Sequence, residues 1–283
     1  MFTDQPVTPG RVECLIDLLR EYSRQEWTRA KIVAVLQPKG LPDLESTSEQ
    51  AAATIKAALE LGLVTQDGGS MKLESIERRT NTREVLLGQL DERVLASTDI
   101  EPYFAPFYSY LISLGPKGTI KKSRVAWAND FNRECPQMAG VQNPFNQAKH
   151  TGLDRWYVYT GHGWFDPEGA FQANPYERIL RHLARIFADG PKLSGDEFLT
   201  KVGECCPELD NGAIFRRTCP NHNPDARIVT LAVSHSLVDL HLDNCIRLHC
   251  APDSRGWSIE AAQPPNDGKT LRSGRIDYVE ACN

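Results

Sequence analysis

The sequence predicts a mainly α-helical protein with small β-hairpins, an α+β class built as a tandem array of similar modules. Three observations support this class. Apolar residues recur at helical spacing in many segments, and Gly-rich turns between short apolar runs follow groups of helices. The length of 283 residues suits two or three domains. We therefore expect several small helical domains and no single large sheet.

Composition and charge narrow the class of protein further. No run approaches the roughly 20 apolar residues that span a bilayer, and the N-terminus lacks the basic flank and apolar core of a signal peptide. Eight cysteines without such a signal predict reduced thiols, or at most one metal site. The net charge of −5 argues against a protein coated with nucleic acid, although it permits local basic patches. We expect a soluble, cytoplasmic protein.

Residues 1–76 contain three predicted helices followed directly by a β-hairpin. Thr28 is predicted to cap the second helix, a capping box within residues 46–50 to start the third, and Gly62 to end it. A turn at residues 66–69 joins two short strands. The positions predicted to face the core from the first and third helices are Val12, Leu15, Ile16, Leu19, Tyr22, Ala52, Ile55, Ala58 and Leu59.

This order of elements resembles that of winged helix-turn-helix domains. Residues 57–69, Ala-Ala-Leu-Glu-Leu-Gly-Leu-Val-Thr-Gln-Asp-Gly-Gly, are similar to the passage from the third helix into the wing of that superfamily. The resemblance implies a winged-helix fold, with an unrelated α+β unit as the alternative. The fold alone does not determine function.

The surface predicted for this first module disfavours DNA. Residues 1–76 hold eight basic and eleven acidic residues, a net charge of −3 that repels phosphate. The hairpin tip carries no arginine. The outward positions of the third helix are Glu49, Gln50, Thr54, Lys56 and Glu60. We therefore predict that residues 1–76 contact protein.

The pattern of residues 77–101 predicts a connecting helix, and that of residues 102–172 predicts a second winged-helix-like module. The order of helices and then a hairpin is repeated there. Its signals, in chain order, are an aromatic core helix over 103–112, a short helix over 125–131, Asn143 as N-cap with Pro144 at the first helical position, and hairpin strands over 157–159 and 164–165.

The second module is better suited to bind nucleic acid. Residues 117–155 hold seven basic and three acidic residues, a net charge of +4. Amide side chains pair with adenine, whereas lysine contacts guanine or phosphate. The alternative is an ordinary solvated face with a flexible basic loop. The residues predicted to bind DNA are Lys117, Lys121, Lys122, Arg124, Asn143, Asn146, Gln147, Lys149, His150 and Arg155.

The last third of the chain predicts a third winged-helix-like module over residues 173–262 and a loosely ordered tail over residues 263–283. Ser194 and Glu197 predict a capping box. The remaining signals are a helix over 176–187 with Arg178, Arg181 and Arg185 on its outer face, a helix over 228–243, and strands over 245–250 and 257–259 that bracket a turn containing Arg255.

The sequence offers few side chains that are candidates for catalysis or metal binding. Buried structural thiols explain the cysteines of the last third better than zinc does, because no Cys-x-x-Cys pair is present. His235 and Asp239 share a helix face at the spacing of ordinary surface pairs. Phosphate-binding, nucleophile-elbow and zinc-protease motifs are absent from the sequence. We predict no enzyme, no cofactor and no metal. The cluster in question comprises Cys205, Cys206, Cys219, His222, Cys245, His249 and Cys250.

The chain as a whole resembles the DpdG-like accessory proteins of bacterial phage-defence islands. The similarity rests on the acidic first module with Ala57-Ala-Leu-Glu-Leu-Gly-Leu, and on the passage Phe145-Asn-Gln, Leu153-Asp-Arg-Trp and Gly161-His-Gly-Trp. It implies a non-enzymatic adaptor subunit that docks on other protein subunits and engages DNA. The family supplies no catalytic residues.

Two other functions remain open. A sequence-specific transcriptional regulator would use several wings to recognise an operator. A cryptic metal-dependent nuclease would use groups such as His235 and Asp239. The sequence gives no sign of a membrane partner or of a small-molecule substrate.

Overall fold

The protein is mainly helical with small antiparallel sheets, and about 54% of the residues that the structure describes are in helices. In the computed structural model it divides into two compact units. The first unit comprises Met1–Phe104 and Asn146–Trp156, and the second comprises Ala105–Phe145 and Tyr157–Asn283. The described residues are 1–3, 6–38, 49–74, 80–96, 98–119 (116–119 by their backbone alone), 122–138, 141–222, 227–250, 255–259 and 274–282.

The first unit begins with the predicted helices. They are α1 (Pro9–Glu21), α2 (Arg29–Leu36) and α3 (Glu49–Glu60), and a two-residue strand β1 (Trp27–Thr28) precedes α2. Val12, Leu15, Ile16 and Leu19 are buried as predicted, whereas Tyr22 is exposed. The Thr28 hydroxyl accepts the Lys31 N–H and caps α2, which confirms that prediction. The capping box predicted for α3 depends on Ser46 or Thr47, which lie outside the described residues.

A hairpin follows α3 at the predicted place. Gly62 ends the helix with a φ of 65°, and strands β2 (Val64–Asp67) and β3 (Ser70–Leu73) pair antiparallel. Gly68 and Gly69 both have the positive φ that a type I′ turn needs. Strand β1 pairs with the other edge of β3, so the sheet order is β1-β3-β2.

The rest of the first unit is helical. Helix α4 (Thr82–Leu90) continues into a π-helical turn (Asp91–Leu95), in agreement with the predicted connecting helix. Helix α7 (Gln147–Thr160) contributes its residues up to Trp156 to this unit. The Phe2 ring packs 4.2 Å from the Trp156 ring and 5.6 Å from the Phe104 ring. Gly152 is required there, because a Cβ on it would lie 2.4 Å from the Phe2 carbonyl oxygen.

Aromatic side chains form the core at the start of the second unit. Helix α5 (Phe104–Thr119) is interrupted at Gly115, whose φ is 62° and ψ is 177°. Helix α6 (Arg124–Glu134) packs beside it, and the Phe107 ring lies 5.1 Å from the Phe131 ring and 4.4 Å from the Phe145 ring. These contacts confirm that the aromatic helix predicted over residues 103–112 contributes to the core.

Two predictions for residues 143–165 are wrong in detail, namely the residue at which the helix begins and the residues that form the hairpin strands. Helix α7 begins at Gln147 and not after Asn143, because the side chain of Asn146 accepts the Lys149 N–H and provides the cap. Tyr157–Tyr159 belong to the last turn of α7. The hairpin consists instead of β4 (Gly163–Phe165) and β5 (Phe171–Ala173).

The described part of the second unit contains four further α-helices. They are α8 (Tyr176–Ile186), α9 (Gly195–Cys205), α10 (Ala213–Thr218) and α11 (Leu231–Leu242). The Ser194 and Glu197 capping box of α9 is present in full, which confirms the prediction. Ile228 is exposed and precedes α11.

The C-terminal strands differ from the predicted wing and tail. The strands β7 (Ile246–His249) and β8 (Trp257–Ser258) do not pair with each other. Strand β7 pairs with β10 (Tyr278–Ala281), and β8 pairs with β9 (Arg275–Ile276). Strand β10 is the middle strand of the sheet β6-β10-β7, in which β6 spans Lys192–Ser194. Residues 275–281 are therefore part of the core sheets and not a loose tail, and residues 260–273 lie outside the described ones.

Candidate nucleic-acid interface

The ten residues predicted to bind DNA are divided between the two units. Asn146, Gln147, Lys149, His150 and Arg155 belong to the first unit. Lys122, Arg124 and Asn143 belong to the second unit. Lys121 and the side chain of Lys117 lie outside the described structure.

The first-unit group presents only part of its polar surface to solvent. Asn146, Gln147 and Arg155 are exposed on α7. Lys149 is buried with 7% of its surface exposed, and its ammonium lies 4.9 Å above the Tyr103 ring. His150 is also buried, with its Nε2 atom 3.2 Å from Asp154 Oδ1. The sequence predicts Lys149 and His150 on an exposed leading turn of the helix. Both side chains instead belong to the core of this unit.

Lys122 and Arg124 of the second unit lie at the start of α6, and part of the positive charge there is held in ion pairs. The Lys122 ammonium donates to Asp130 Oδ2 at 2.9 Å and lies 5.0 Å above the Trp127 ring. The Arg133 guanidinium pairs with both Asp130 and Glu134. The hydrogen bond from Lys122 is the main reason that the pKa of Asp130 is lowered. Arg124 and Asn143 are exposed.

The structure also contains a buried charged network that the sequence did not reveal. Arg178, predicted on an outer helix face, is 1% exposed, and its Nε donates to Glu208 Oε1 at 2.8 Å. A second guanidinium nitrogen donates to the Cys205 carbonyl oxygen at 3.1 Å. Nε2 of His162 lies 3.9 Å from Glu208 Oε1. The prediction that Arg178 faces solvent is wrong, and no local signal could identify Glu208, which lies thirty residues further along the chain.

The network keeps one negative and one positive charge in the interior. Burial by itself would raise the pKa of Glu208, but the charge of Arg178 and the nearby His162 lower it below its usual value. Burial lowers the pKa of His162, so its imidazole is neutral near pH 7. The network joins α8 to the segment after α9. Because it is fully enclosed, we assign it a structural role.

A second buried carboxyl group supports the start of α11. Asp210 Oδ2 accepts the backbone N–H of Thr230 at 2.7 Å and the Thr230 hydroxyl at 3.0 Å. Thr230 is the N-cap residue of α11. Burial raises the pKa of Asp210 to about 6.

The cysteine and histidine cluster is dispersed. All eight cysteines are free thiols, and within the described ranges no three His, Cys, Asp or Glu side chains are placed to hold a metal ion. Burial raises the pKa of Cys135 to about 12 and that of Cys219 to about 11. Such thiols stay protonated and are poor metal ligands and nucleophiles.

One of the two groups suggested for a cryptic nuclease, His235, lies beside a small cavity. His235 lines a cavity of about 110 Å³ together with Leu111, Trp164, Phe171 and Asn174. Burial raises the pKa of Asp239, and the charge of His235 opposes this shift. Trp164 is 51% exposed at the same place. The cavity is mainly apolar and brings one histidine, without a carboxylate, to its wall.

Fold and contacts together define a mainly helical protein with small antiparallel sheets and buried charges that join its helices. A family model described as DpdG-like matches residues 2–254, and the chain belongs to the DpdG-like family. This match confirms the family resemblance predicted from the sequence and is consistent with an accessory protein of a phage-defence island. No curated protein and no solved structure matched the chain. In the described part of the chain, no helix combines the length and apolarity needed to cross a membrane.

Proposed function

We propose that the protein is a non-enzymatic adaptor subunit of a phage-defence complex, which contacts DNA through exposed residues of the segment 117–155. Its acidic first module docks on a protein partner. The observation that carries this proposal is the uneven charge of the chain, with a net of −3 over residues 1–76 and +4 over residues 117–155. Family membership supports the accessory role.

The element order of the first unit supports a winged helix in residues 1–76. Helix, strand, two helices and a hairpin follow one another, and β1 closes the sheet beside β3. In a DNA-binding winged helix, the third helix and the hairpin tip face the duplex. Here α3 exposes Glu49, and the hairpin exposes Asp67. These carboxylates favour a basic protein surface as the partner of this module.

The DNA contacts are proposed for the exposed members of the predicted set. In the second unit these are Lys122, Arg124 and Asn143, and in the first unit Asn146, Gln147 and Arg155. Arginine and lysine would bind phosphates, and the amides would contact bases or phosphates. Lys149 and His150 are buried, so they are left out of the proposed DNA contacts.

The salt dependence of DNA binding tests this proposal. We expect the wild-type protein to retard a DNA duplex at low salt, with an affinity that falls as salt rises. The double variant Lys122→Gln/Arg124→Gln should reduce the slope of log K against log salt by about 1.8, because each phosphate contact contributes about 0.9. The proposal is wrong if the wild-type protein binds neither duplex nor single-stranded DNA at low salt.

A matched control removes the same charge from the first module. Arg24 and Lys56 are exposed there, and the double variant Arg24→Gln/Lys56→Gln should leave the slope unchanged. A slope that changes equally in both double variants would show that binding follows net charge alone. Added divalent metal should produce no DNA cleavage, and a metal-dependent product would favour a nuclease instead.

A further inference from the structure

Two cysteines of the second unit lie opposite each other on neighbouring strands. The antiparallel register of β7 and β10 runs from Tyr278 opposite His249 to Ala281 opposite Ile246. The next pair in that register is Cys282 with Cys245. The backbone N–H of Cys282 donates to the Cys245 carbonyl oxygen at 3.2 Å, so the ladder extends to this pair.

The alternation of the two strands, continued by one residue, puts both cysteines on the same face of the sheet. Side chains two and four residues apart point to one face of a strand, which places Cys282 with Glu280 and Tyr278. Across the ladder, the Tyr278 ring stacks 4.2 Å from the His249 ring, and Glu280 Oε2 lies 3.0 Å from His249 Nε2. The opposite face holds the buried residues Ile246, Leu248 and Val279.

The spacing suits a disulfide bond. Directly opposed residues of an antiparallel pair have Cα atoms about 4.5–5.5 Å apart, and disulfides bridge Cα atoms about 4.4–6.8 Å apart. Cys245 and Cys282 are both free and half-buried, so a small oxidant can reach them. We propose that Cys245 and Cys282 are an oxidative modification site, which forms a reversible disulfide that fastens the C-terminal strand β10 to β7.

The bond would form by thiol–disulfide exchange with a small-molecule disulfide such as oxidised glutathione. The thiolate of one cysteine attacks the glutathione disulfide, which gives a mixed disulfide and releases one glutathione thiolate. The second cysteine, after losing its proton, attacks the protein sulfur of the mixed disulfide and releases the second glutathione. The two protein thiols lose two electrons and two protons, and one oxidised glutathione becomes two reduced molecules.

The consequence follows from the place of β10 in the sheet. Strand β10 lies between β6 and β7, so its loss would leave both neighbours without a partner. The bridge would close a loop from residue 245 to residue 282 and restrict the unfolded chain. Oxidation should therefore keep strand β10 paired with β7. It should also raise the midpoint of thermal unfolding of the protein by roughly 5–10 °C.

Peptide mapping of the full-length protein tests the proposal. The protein is equilibrated with oxidised and reduced glutathione, alkylated, digested with trypsin without reduction, and analysed by mass spectrometry. Cleavage at Arg227, Arg247 and Arg275 yields peptides 228–247 and 276–283, each with a single cysteine. We expect these two peptides to be linked to each other, and the link to disappear on reduction.

Single variants separate this pair from the other thiols. Cys250→Ser removes a half-buried thiol just beyond β7 and should leave the link and the rise in midpoint intact. Cys245→Ser and Cys282→Ser should each abolish both, while the reduced variants unfold near the wild-type midpoint. The proposal is overturned if both cysteines are recovered alkylated, if each carries glutathione separately, or if the link joins two protein chains.

Discussion

Two buried cations, one in each compact unit, make different contacts. In the first unit, the Lys149 ammonium lies 4.9 Å above the Tyr103 ring, while the buried Glu101 carboxylate pairs with the N-terminal ammonium at 2.9 Å. In the second unit, Arg178 and Glu208 are each other's partners. Removal of Lys149 takes a cation away from the face of an aromatic ring, whereas removal of Arg178 leaves the Glu208 carboxylate in the interior without its guanidinium. The same kind of substitution should therefore have unequal costs in the two units.

The largest effect is expected at Arg178. Arg178→Leu should lower the free energy of unfolding of the second unit by about 3–5 kcal/mol, because an unpaired buried carboxylate remains. Lys149→Met in the first unit should cost about 2 kcal/mol, the strength of a cation–π contact that is removed from solvent. Denaturant unfolding followed by circular dichroism measures both values.

An exposed arginine of the same helix provides the control for Arg178. Arg185 is exposed on α8, so Arg185→Leu should change stability by no more than about 0.5 kcal/mol. Arg178→Leu/Glu208→Leu, which removes both charges, should be less destabilised than Arg178→Leu alone. Equal losses at Lys149 and Arg178 would contradict the distinction between the two buried cations.

A second prediction concerns Asp210 and pH. Since the pKa of Asp210 is raised to about 6 in the folded protein, the folded state binds this proton more tightly than the unfolded state does. The contribution of this group is therefore fully present below the unfolded pKa of about 3.9 and is lost as pH rises through about 6. The contribution of Asp210 to the free energy of unfolding that is lost over this pH range is about 3 kcal/mol.

The variant Asp210→Asn isolates this contribution. Asparagine does not titrate and retains an acceptor for the Thr230 N–H. The difference in unfolding free energy between the variant and the wild type should therefore move in favour of the variant as pH rises from 4 to 7. Buried His162 has a lowered pKa and gives the opposite pH trend in both proteins, so it cancels in the difference. A difference that does not vary with pH would show that Asp210 ionises as freely in the folded state as in the unfolded state.

The smallest effect concerns two helical glycines of the first unit. Gly152→Ala would place a Cβ atom 2.4 Å from the Phe2 carbonyl oxygen, and we expect a loss of about 1–3 kcal/mol. Gly88 in α4 has no neighbouring atom within 4 Å of an added Cβ. Gly88→Ala should therefore stabilise the protein by up to about 1 kcal/mol, the difference in helix propensity. Thermal unfolding of both variants checks the opposite signs.

Predictions from the sequence succeeded where local chemistry defines the structure. Thr28 caps α2, Gly62 ends α3 with a positive φ, and Ser194 with Glu197 forms a capping box. Each of these features depends on hydrogen bonds or backbone angles within four residues. The buried stripe of α1 was predictable for a similar reason, because helical periodicity reports one face.

Predictions failed for two different reasons. Arg178 has the polarity of a surface residue, but Glu208, thirty residues further along the chain, makes its burial stable. Lys149 is buried beside Tyr103, which is also distant in the sequence. The cap at Asn146 and the pair of His150 with Asp154 are local. Nothing in the sequence, however, favours Asn146 over Asn143 as the cap or a buried His150 over an exposed one.

The sequence by itself determined the mainly helical class, the first hairpin, the uneven charge of the chain and the family resemblance. Only the tertiary structure decided which cations are buried, where β10 pairs, and that Cys245 faces Cys282. The physical reason is the range of the forces involved. Capping and periodicity act over a few residues, whereas the burial of a charge and the register of a strand depend on groups that folding brings together from distant parts of the chain.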